Sequence, residues 1–160
     1  MVESRADRVA AGAPWRPAPP IVRRVTERQR ISSGLPYELI VGYSRAVRVD
    51  NLVFVSGTCP VNPDGTAPPD ALAQLRRCFE IVEKALMEAG GSLADVVRTR
   101  IYLTDRNDAW VVERVHGELF SDIRPANTML VVAGLLNPSW KVEVEVDAVI
   151  GSRDRESVGG

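Results

Sequence analysis

The sequence is poor in several residue types on which particular functions depend. It contains one histidine, His116, two cysteines and, among 20 basic residues, only the lysines Lys84 and Lys141. Cys59 and Cys78 do not have the spacing of metal ligands, and one histidine adds too few donors for a zinc site. We therefore expect no metal, and no motif calls for a cofactor.

Long apolar runs and an excess of one charge are also missing. No segment approaches the roughly 20 apolar residues of a membrane-spanning helix, and the N-terminus lacks the apolar stretch of a signal peptide. The formal net charge of −1 gives no electrostatic reason to expect a nucleic-acid partner. These absences predict a cytoplasmic protein with reduced cysteines that binds neither nucleic acid nor membrane.

The composition that remains is that of one globular domain. The chain has 160 residues, of which 45% are hydrophobic and 26% charged, enough to bury a single core. Residues 1–28 are rich in Pro, Ala and Arg and predict a flexible N-terminal arm, because prolines at this density prevent regular pairing. We expect the folded domain at residues 29–150 and a polar tail at residues 151–160.

The first half of this domain predicts a hairpin and a long helix. The β-rich runs Arg45–Val49 and Leu52–Ser56 meet at Asp50-Asn51, a two-residue turn signal. Asp70 is a good N-cap for a helix that ends at Gly90-Gly91. The apolar residues that share one face of this helix are Leu75, Phe79, Val82 and Leu86. Cys78 lies beside them and is interpreted as a small core residue.

The second half predicts a strand, a helix and two further strands. Arg98–Leu103 is β-rich, Asp105 or Asn107 can cap a helix that runs to Phe120, and strands follow at 127–133 and 142–150. The predicted buried side of this second helix consists of Trp110, Val111, Val115 and Leu119. The order β-β-α-β-α-β-β favours an α+β fold in which two helices pack on one face of a mixed sheet.

Two strands carry information beyond the fold. In the last strand Glu143, Glu145 and Asp147 alternate with apolar residues and so project from one face. Arg98 and Arg100 are their candidate partners, and a merely solvated face is the alternative interpretation for Glu145 and Asp147.

The strand at 128–133 is apolar on both faces. A small sheet with helices on one side leaves its other side wet, so this strand needs a cover. The sequence has no third layer to supply one. We therefore expect another subunit to cover it, which predicts a closed homo-oligomer.

Several segments together resemble the RidA (YjgF-type) family. They are Gly42-Tyr43-Ser44-Arg45-Ala46-Val47, Phe54-Val55-Ser56-Gly57, Gly90-Gly91-Ser92-Leu93-Ala94-Asp95-Val96-Val97, Tyr102-Leu103-Thr104-Asp105, Arg124-Pro125-Ala126-Asn127-Thr128 and Val142-Glu143-Val144-Glu145. They occur in the family's order between residues 43 and 150. The resemblance implies a chorismate-mutase-like α+β fold and a homotrimer with small-molecule clefts between subunits.

The resemblance also implies an activity and a set of site residues. Enzymes of the family hydrolyse 2-imino acids and their enamine tautomers to 2-keto acids and ammonia. Glu143 matches the glutamate that positions or activates the attacking water, although a slip of one repeat to Glu145 is possible. The residues that fall at cleft-lining positions are Tyr43, Ser56 and Gly57, together with Thr128 of the Pro-Ala-Asn-Thr segment.

Asn127 departs from the family pattern, because it occupies the position of the arginine that binds the substrate carboxylate. A neutral amide lacks the charge and the paired donors of a guanidinium. Either the ligand lacks a carboxylate, or another cation binds it, for which Arg124 is the candidate; the alternative for Arg124 is a surface or interface ion pair. His116 is interpreted as a helix-surface or interface residue, since a general base needs a partner that the sequence does not show.

Three functions follow as hypotheses. The first is hydrolytic deamination of a small imine or enamine other than the usual 2-imino acid, with Glu143 placing the water. The second is a binding or regulatory trimer that holds a metabolite without turnover, which Asn127 favours. The third, a ribonuclease, is disfavoured by the mild net charge and by the absence of a histidine pair.

Overall fold

A computed structural model describes residues 26–152, which form one mixed β-sheet with three helices. Most of the predicted N-terminal arm and of the polar tail lies outside these residues. The elements in chain order are β1 (Arg28–Ile31), α1 (Pro36–Val41), β2 (Ala46–Val49), β3 (Leu52–Thr58), α2 (Ala71–Glu88), β4 (Val96–Leu103), α3 (Ala109–Phe120), β5 (Ala126–Val131) and β6 (Val142–Val149).

The six strands are arranged in the order β1-β2-β3-β6-β4-β5. Neighbouring strands are antiparallel except β4 and β5, which are parallel. The α+β prediction is therefore confirmed. The structure also contains β1 and α1, two elements too short to be predicted from the sequence.

The local signals explain the main elements. Asp50 has a φ of 53°, a left-handed conformation that Asp tolerates, and it lies in the predicted turn between β2 and β3. The Asp70 carboxylate accepts a hydrogen bond of 2.8 Å from the Ala73 N–H at the start of α2. Gly90, with a φ of 85°, ends this helix because residues with a side chain rarely adopt that angle.

One face of the sheet, which we call the covered face, packs against α2 and α3. The predicted apolar face of α2 is buried there, and Cys78 lies within the same core, as expected. The buried sheet residues on this face include Ile101, Leu103, Val142, Val144 and Val146. The opposite face, which we call the open face, carries the charged rows of β4 and β6.

The predicted buried side of α3 was wrong at its first residue. Trp110 is 62% exposed, and the Arg114 guanidinium lies 5.2 Å from its ring. Val115 is buried as predicted, together with Val112 and Phe120, and the predicted Val111 and Leu119 are partly buried against the same core. Because α3 starts at Ala109, Trp110 lies in its first turn, and the other described residues leave most of its side chain exposed.

β5 is an edge strand that pairs only with β4 among the described residues. Leu130 and Val131 on it are 53% and 51% exposed, as the two-sided apolar pattern predicts for a strand without a cover of its own. Leu39 and Ile40 on α1 are even more exposed, at 90% and 79%. Within the described chain, no helix combines the length and apolarity needed to cross a bilayer.

Candidate functional site

Glu143 projects from β6 onto the open face, beside a bulge in β3. The valines on either side of it point into the core, so the alternation of the strand places the carboxylate on the other side. The register between β3 and β6 shifts between Val55 and Thr58. Such a bulge bends the strand and reorients the side chains next to it.

Gly57 lies within this bulge and makes room for the Glu143 carboxylate. A Cβ added at Gly57 would overlap Glu143 Oε1, so only glycine allows the carboxylate to lie this close to the backbone. Arg45 Nη2 donates a hydrogen bond of 2.7 Å to the Gly57 carbonyl. Ser56 Oγ donates one of 2.8 Å to the Ser44 carbonyl. These bonds hold the end of β3 against the segment before β2.

Cys59 completes this group, although sequence reasoning missed it. Burial first, and then the charge and hydrogen bond of the Glu143 carboxylate, raise the pKa of its thiol to about 12, against a smaller lowering by the Arg45 guanidinium. The thiol therefore stays protonated at neutral pH and is not a nucleophile. The available signal was its spacing, because residues 57 and 59 are two apart in an extended segment and share a face.

Arg45 is a second residue of this group that the sequence did not assign to it. Its guanidinium lies 6.0 Å from the Tyr43 ring and bonds the Gly57 carbonyl, and its Nε is buried without a hydrogen-bond partner among the described residues. Arg45 therefore connects Tyr43 to the Glu143 group and places a positive charge beside it.

α1 sets the position of Tyr43. The buried Glu38 carboxylate accepts hydrogen bonds from the hydroxyls of Ser32, at 2.6 Å, and Ser33. Burial acts to raise the Glu38 pKa, but these bonds outweigh it and the pKa is lowered. Gly42 then ends α1 in a left-handed conformation, and the N–H groups of Gly42 and Tyr43 both bond the Glu38 carbonyl.

Glu145, the alternative to Glu143, is held by neighbouring side chains. Its carboxylate lies 3.5 Å from Arg100 Nη1 and accepts a hydrogen bond of 3.1 Å from the Tyr102 hydroxyl. Asp147 pairs with Arg100 at 3.2 Å and Arg98 at 3.7 Å. The predicted arginine partners are thus present, and Glu143 is the carboxylate of this row that lies at the Gly57 bulge.

The second predicted group, around Asn127, lies at the edge of the sheet. Arg124 has a φ of 50° and its Nε donates a hydrogen bond of 3.0 Å to the Ser121 carbonyl. It borders a surface groove of about 550 Å³ at the start of β5, which Pro125 and Asp122 also line. Thr128 pairs with Arg100 in register and shares the open face with it.

Asn127 lies on the covered face, where its side chain is hydrogen-bonded to the buried Thr99. It pairs with Thr99 in register, and Thr99 Oγ1 donates a hydrogen bond of 3.2 Å to Asn127 Oδ1. His116 Nε2 lies 3.0 Å from the same hydroxyl. Burial lowers the pKa of the His116 ring. His116 is half-buried and packs against Phe120, so part of the ring is covered within the chain, whereas the sequence predicted a helix-surface or an interface position.

Within one chain the two groups do not meet. Asn127 pairs with Thr99 of β4, whereas Glu143 pairs with Tyr102, three residues further along, or about 10 Å. The two side chains also project from opposite faces of the sheet. No group of three His, Cys, Asp or Glu side chains in residues 26–152 is arranged to hold a metal ion.

Comparison with known proteins gives consistent matches. The sequence model of a family described as Endoribonuclease L-PSP matches residues 36–150. The 3-aminoacrylate deaminase RutC of Acinetobacter baylyi is 38% identical over 104 residues, covering 64% of this chain and 82% of its own.

Solved structures extend the match to the fold. The crystal structure of a Mycobacterium tuberculosis member of the YjgF/YER057c/UK114 family is 44% identical, with a TM-score of 0.72 and coverage of 78% of this chain and 100% of its own. The YjgF gene product of Escherichia coli is 30% identical, with a TM-score of 0.64 and coverage of 75% and 91%. The chain thus belongs to the RidA (YjgF-type) family, described by its sequence model as Endoribonuclease L-PSP.

Proposed function

We propose that this protein hydrolyses a small imine or enamine, on a substrate other than the usual 2-imino acid. The observation that carries the proposal is the Glu143 carboxylate at the Gly57 bulge, with the Arg45 guanidinium beside it. A carboxylate held in this way can position a water molecule and accept its proton as the water attacks. The 38% identical relative from Acinetobacter baylyi is named a 3-aminoacrylate deaminase, which supports this reaction class.

The reaction balances without a cofactor. An enamine first takes a proton on carbon to become the iminium ion. The water oxygen then bonds to the iminium carbon while one water proton passes to Glu143, which gives a neutral carbinolamine. Glu143 returns that proton to the nitrogen, the C–N bond breaks and ammonia leaves. The hydroxyl proton passes to solvent, which replaces the proton taken up on carbon, and a carbonyl compound remains.

We further propose that the substrate cleft lies between the subunits of a homotrimer. Glu143, Gly57, Ser56 and Tyr43 would line one side, and Asn127, Thr128 and Arg124 of a neighbouring subunit the other. The separation of the two groups on one chain supports this arrangement, since only a second copy can bring them together. The exposed apolar side chains of β5 and α1 support burial of these surfaces against another subunit.

A binding trimer without turnover is the second candidate function. Asn127 favours it, because the family's usual carboxylate ligand would meet no guanidinium at this position. A carboxylate would then lose hydration without gaining a charged partner there.

Ribonuclease activity, which the family description names, has less support on this chain. Arg98 and Arg100 on the open face are paired with Glu145 and Asp147, which leaves little net positive charge for a phosphate backbone.

The test supplies freshly generated 3-aminoacrylate and 2-imino acids to the purified protein and follows ammonia release. We expect acceleration above the spontaneous rate on at least one enamine, and its loss by a factor of about 100 or more in Glu143→Gln. Glu145→Gln is the matched control and should keep most of the activity. No acceleration on any imine or enamine would contradict the enzyme proposal and leave the binding trimer.

The assembly has its own test. Light scattering should give three times the chain mass of 17.5 kDa. A monomer mass would contradict the intersubunit cleft, because one chain cannot place Asn127 near Glu143.

A further inference from the structure

The row of hydrogen bonds from His116 through Thr99 to Asn127 determines which atoms of the Asn127 amide face outward. Thr99 is fully buried, and its hydroxyl carries one hydrogen and can accept further bonds. Since that hydrogen is donated to Asn127 Oδ1 at 3.2 Å, the contact of 3.0 Å with His116 Nε2 requires the ring nitrogen to be the donor. His116 is then the tautomer with the proton on Nε2.

This arrangement leaves the Asn127 amide nitrogen for a ligand. The carbonyl end of the side chain is bound to Thr99, so the Nδ2 group, with its two N–H donors, points away from the core. Asn127 itself is exposed on β5. The position that carries a guanidinium in the family's imine deaminases therefore presents a neutral donor with a defined orientation.

We propose that Asn127 is a specificity-determining residue that selects an uncharged carbonyl oxygen, so that the preferred substrates are enamines bearing a carboxamide where the usual substrates bear a carboxylate. Thr99 and His116 are positioning residues that act through Asn127. The inference rests on the proposed imine and enamine hydrolysis, and it names the substrate class of that site.

The energetic reason lies in the difference between the two ligand groups. A carboxylate moved into a partly dry cleft loses strong hydration and needs a cation or several donors to offset the loss. A carboxamide loses much less, and one or two N–H donors satisfy its carbonyl oxygen. Burial also keeps His116 neutral by lowering its pKa, so the row contributes no positive charge that would favour an anion.

Arg124 is the competing determinant, because it lies three residues before Asn127. The Arg124 Nε donates a hydrogen bond to the Ser121 carbonyl. The Arg124 backbone N–H donates one of 2.8 Å to the Phe120 carbonyl at the end of α3. If Arg124 nevertheless bound the substrate, the protein would prefer the carboxylate, which is the opposite outcome.

The decisive assay compares 3-aminoacrylamide with 3-aminoacrylate, which differ only in the group that Asn127 would bind. Hydrolysis of the amide consumes one water and yields ammonia and 3-oxopropanamide. We expect kcat/KM to be at least about tenfold higher for the amide, a difference of about 1.4 kcal/mol. Asn127→Arg should reverse the preference by restoring the cation. A wild-type preference for the carboxylate, or an unchanged preference in Asn127→Arg, would overturn the inference.

Two variants of Thr99 separate positioning from a purely structural role. Thr99→Val keeps the shape of the side chain but removes the hydroxyl, and should lower the amide preference mainly by raising KM. Thr99→Ser restores the hydroxyl and should restore the preference. If Thr99→Val leaves the amide-to-carboxylate ratio unchanged, the row does not orient Asn127.

A binding measurement keeps the test independent of turnover. The side-chain amide signals of Asn127 are followed by ¹⁵N NMR, assigned with Asn127→Asp, while propionamide or propionate is added. Shifts with propionamide and none with propionate would support the selectivity even if no enamine is hydrolysed, in which case only the proposed function fails. Stronger shifts with propionate would contradict the selectivity even if turnover is observed.

Discussion

The two faces of the sheet treat polar groups in opposite ways. On the covered face, strand positions are filled by residues such as Ile101 and Val144, both fully buried. Thr99, one of the polar residues buried there, is bonded to Asn127 and His116. On the open face, carboxylates and guanidiniums remain half-exposed and pair with one another.

Each face of the sheet limits what a residue on it can do. A buried hydroxyl or ring without a partner costs about 1–3 kcal/mol, so the polar row of the covered face must adopt one defined arrangement. The open face tolerates charge because water still reaches it. Glu143 combines features of both faces, because it projects from the open face but is half-buried. Its carboxylate lies close to the backbone at Gly57, where glycine has no side chain to displace it.

We expect the largest effect on the free energy of unfolding from a substitution on the covered face, because that face is the more tightly packed. Ile101→Ala removes a fully buried side chain and should lower the free energy of unfolding by about 3 kcal/mol. Arg100→Ala, its neighbour on the open face, should cost less than about 1 kcal/mol, since half-exposed ion pairs contribute little. Denaturant unfolding of both variants gives the comparison. Equal losses would mean that the open face is packed as tightly as the covered one in the assembled protein.

The second prediction concerns the contact of Glu143 with Gly57. The added methyl group in Gly57→Ala would displace the Glu143 carboxylate, whose side chain can move aside. We expect kcat/KM to fall by a factor of about 10 to 100 because the carboxylate no longer positions the water. The free energy of unfolding should change by less than about 1 kcal/mol. Full activity in this variant would remove the Glu143–Gly57 contact from the mechanism.

A third prediction uses Cys59 as a reporter of the Glu143 carboxylate. With a thiol pKa of about 12 instead of the ordinary 9.0, the thiolate fraction at pH 8 falls about a thousandfold, partly offset by the higher nucleophilicity of a more basic thiolate. We expect reaction with an aromatic disulfide to be about fifty-fold slower in the folded than in the denatured protein. Glu143→Gln should accelerate it, and Cys59→Ser assigns the signal.

If Cys59 reacted as fast in the folded as in the denatured protein, its thiol would not lie buried beside the Glu143 carboxylate. A rate that Glu143→Gln leaves unchanged would also contradict this position. Cys78 serves as the internal reference, because it is fully buried and should not react until the protein unfolds.

We expect the smallest effect from the titration of His116 on the covered face, which changes how the free energy of unfolding depends on pH. Its pKa is lowered from 6.5 by burial, so the unfolded chain takes up the proton more readily than the folded protein. The neutral ring therefore contributes stability that is present above pH 6.5 and is lost as the pH falls through the lower pKa of the folded state. Between pH 7.5 and 5, wild type should lose more stability than His116→Gln. Parallel pH profiles would show that the ring titrates as in solvent.

Much of the fold could be predicted because its signals are local. The turn at Asp50, the cap at Asp70 and the stop at Gly90 depend on residues within a few positions of one another. The alternation along β6 likewise assigned each of its side chains to a face. Trp110 was misplaced because a hydrophobic residue in the first turn of a helix carries no information on which neighbour will cover it.

The candidate site divides in the same way. Glu143 and Gly57 were named from the sequence through the family resemblance, but neither Cys59 nor Arg45 was assigned to the carboxylate. Cys59 bonds a carboxylate that lies in a strand far along the chain, and Arg45 reaches the same group through the Gly57 carbonyl at the β3 bulge. No local pattern encodes contacts that depend on strand order and on a bulge.

The sequence by itself determined an α+β chain with two long amphipathic helices and a strand with carboxylates on one face, and the family resemblance added an asparagine at an arginine position. These properties depend on periodicity and on residue identity, which are readable one segment at a time. Only the tertiary structure decided that Asn127 joins His116 through Thr99, and that Glu143 lies at a glycine bulge on the opposite face. Strand order and register determine those contacts, because they decide which distant side chains meet and which remain on separate sides of the sheet.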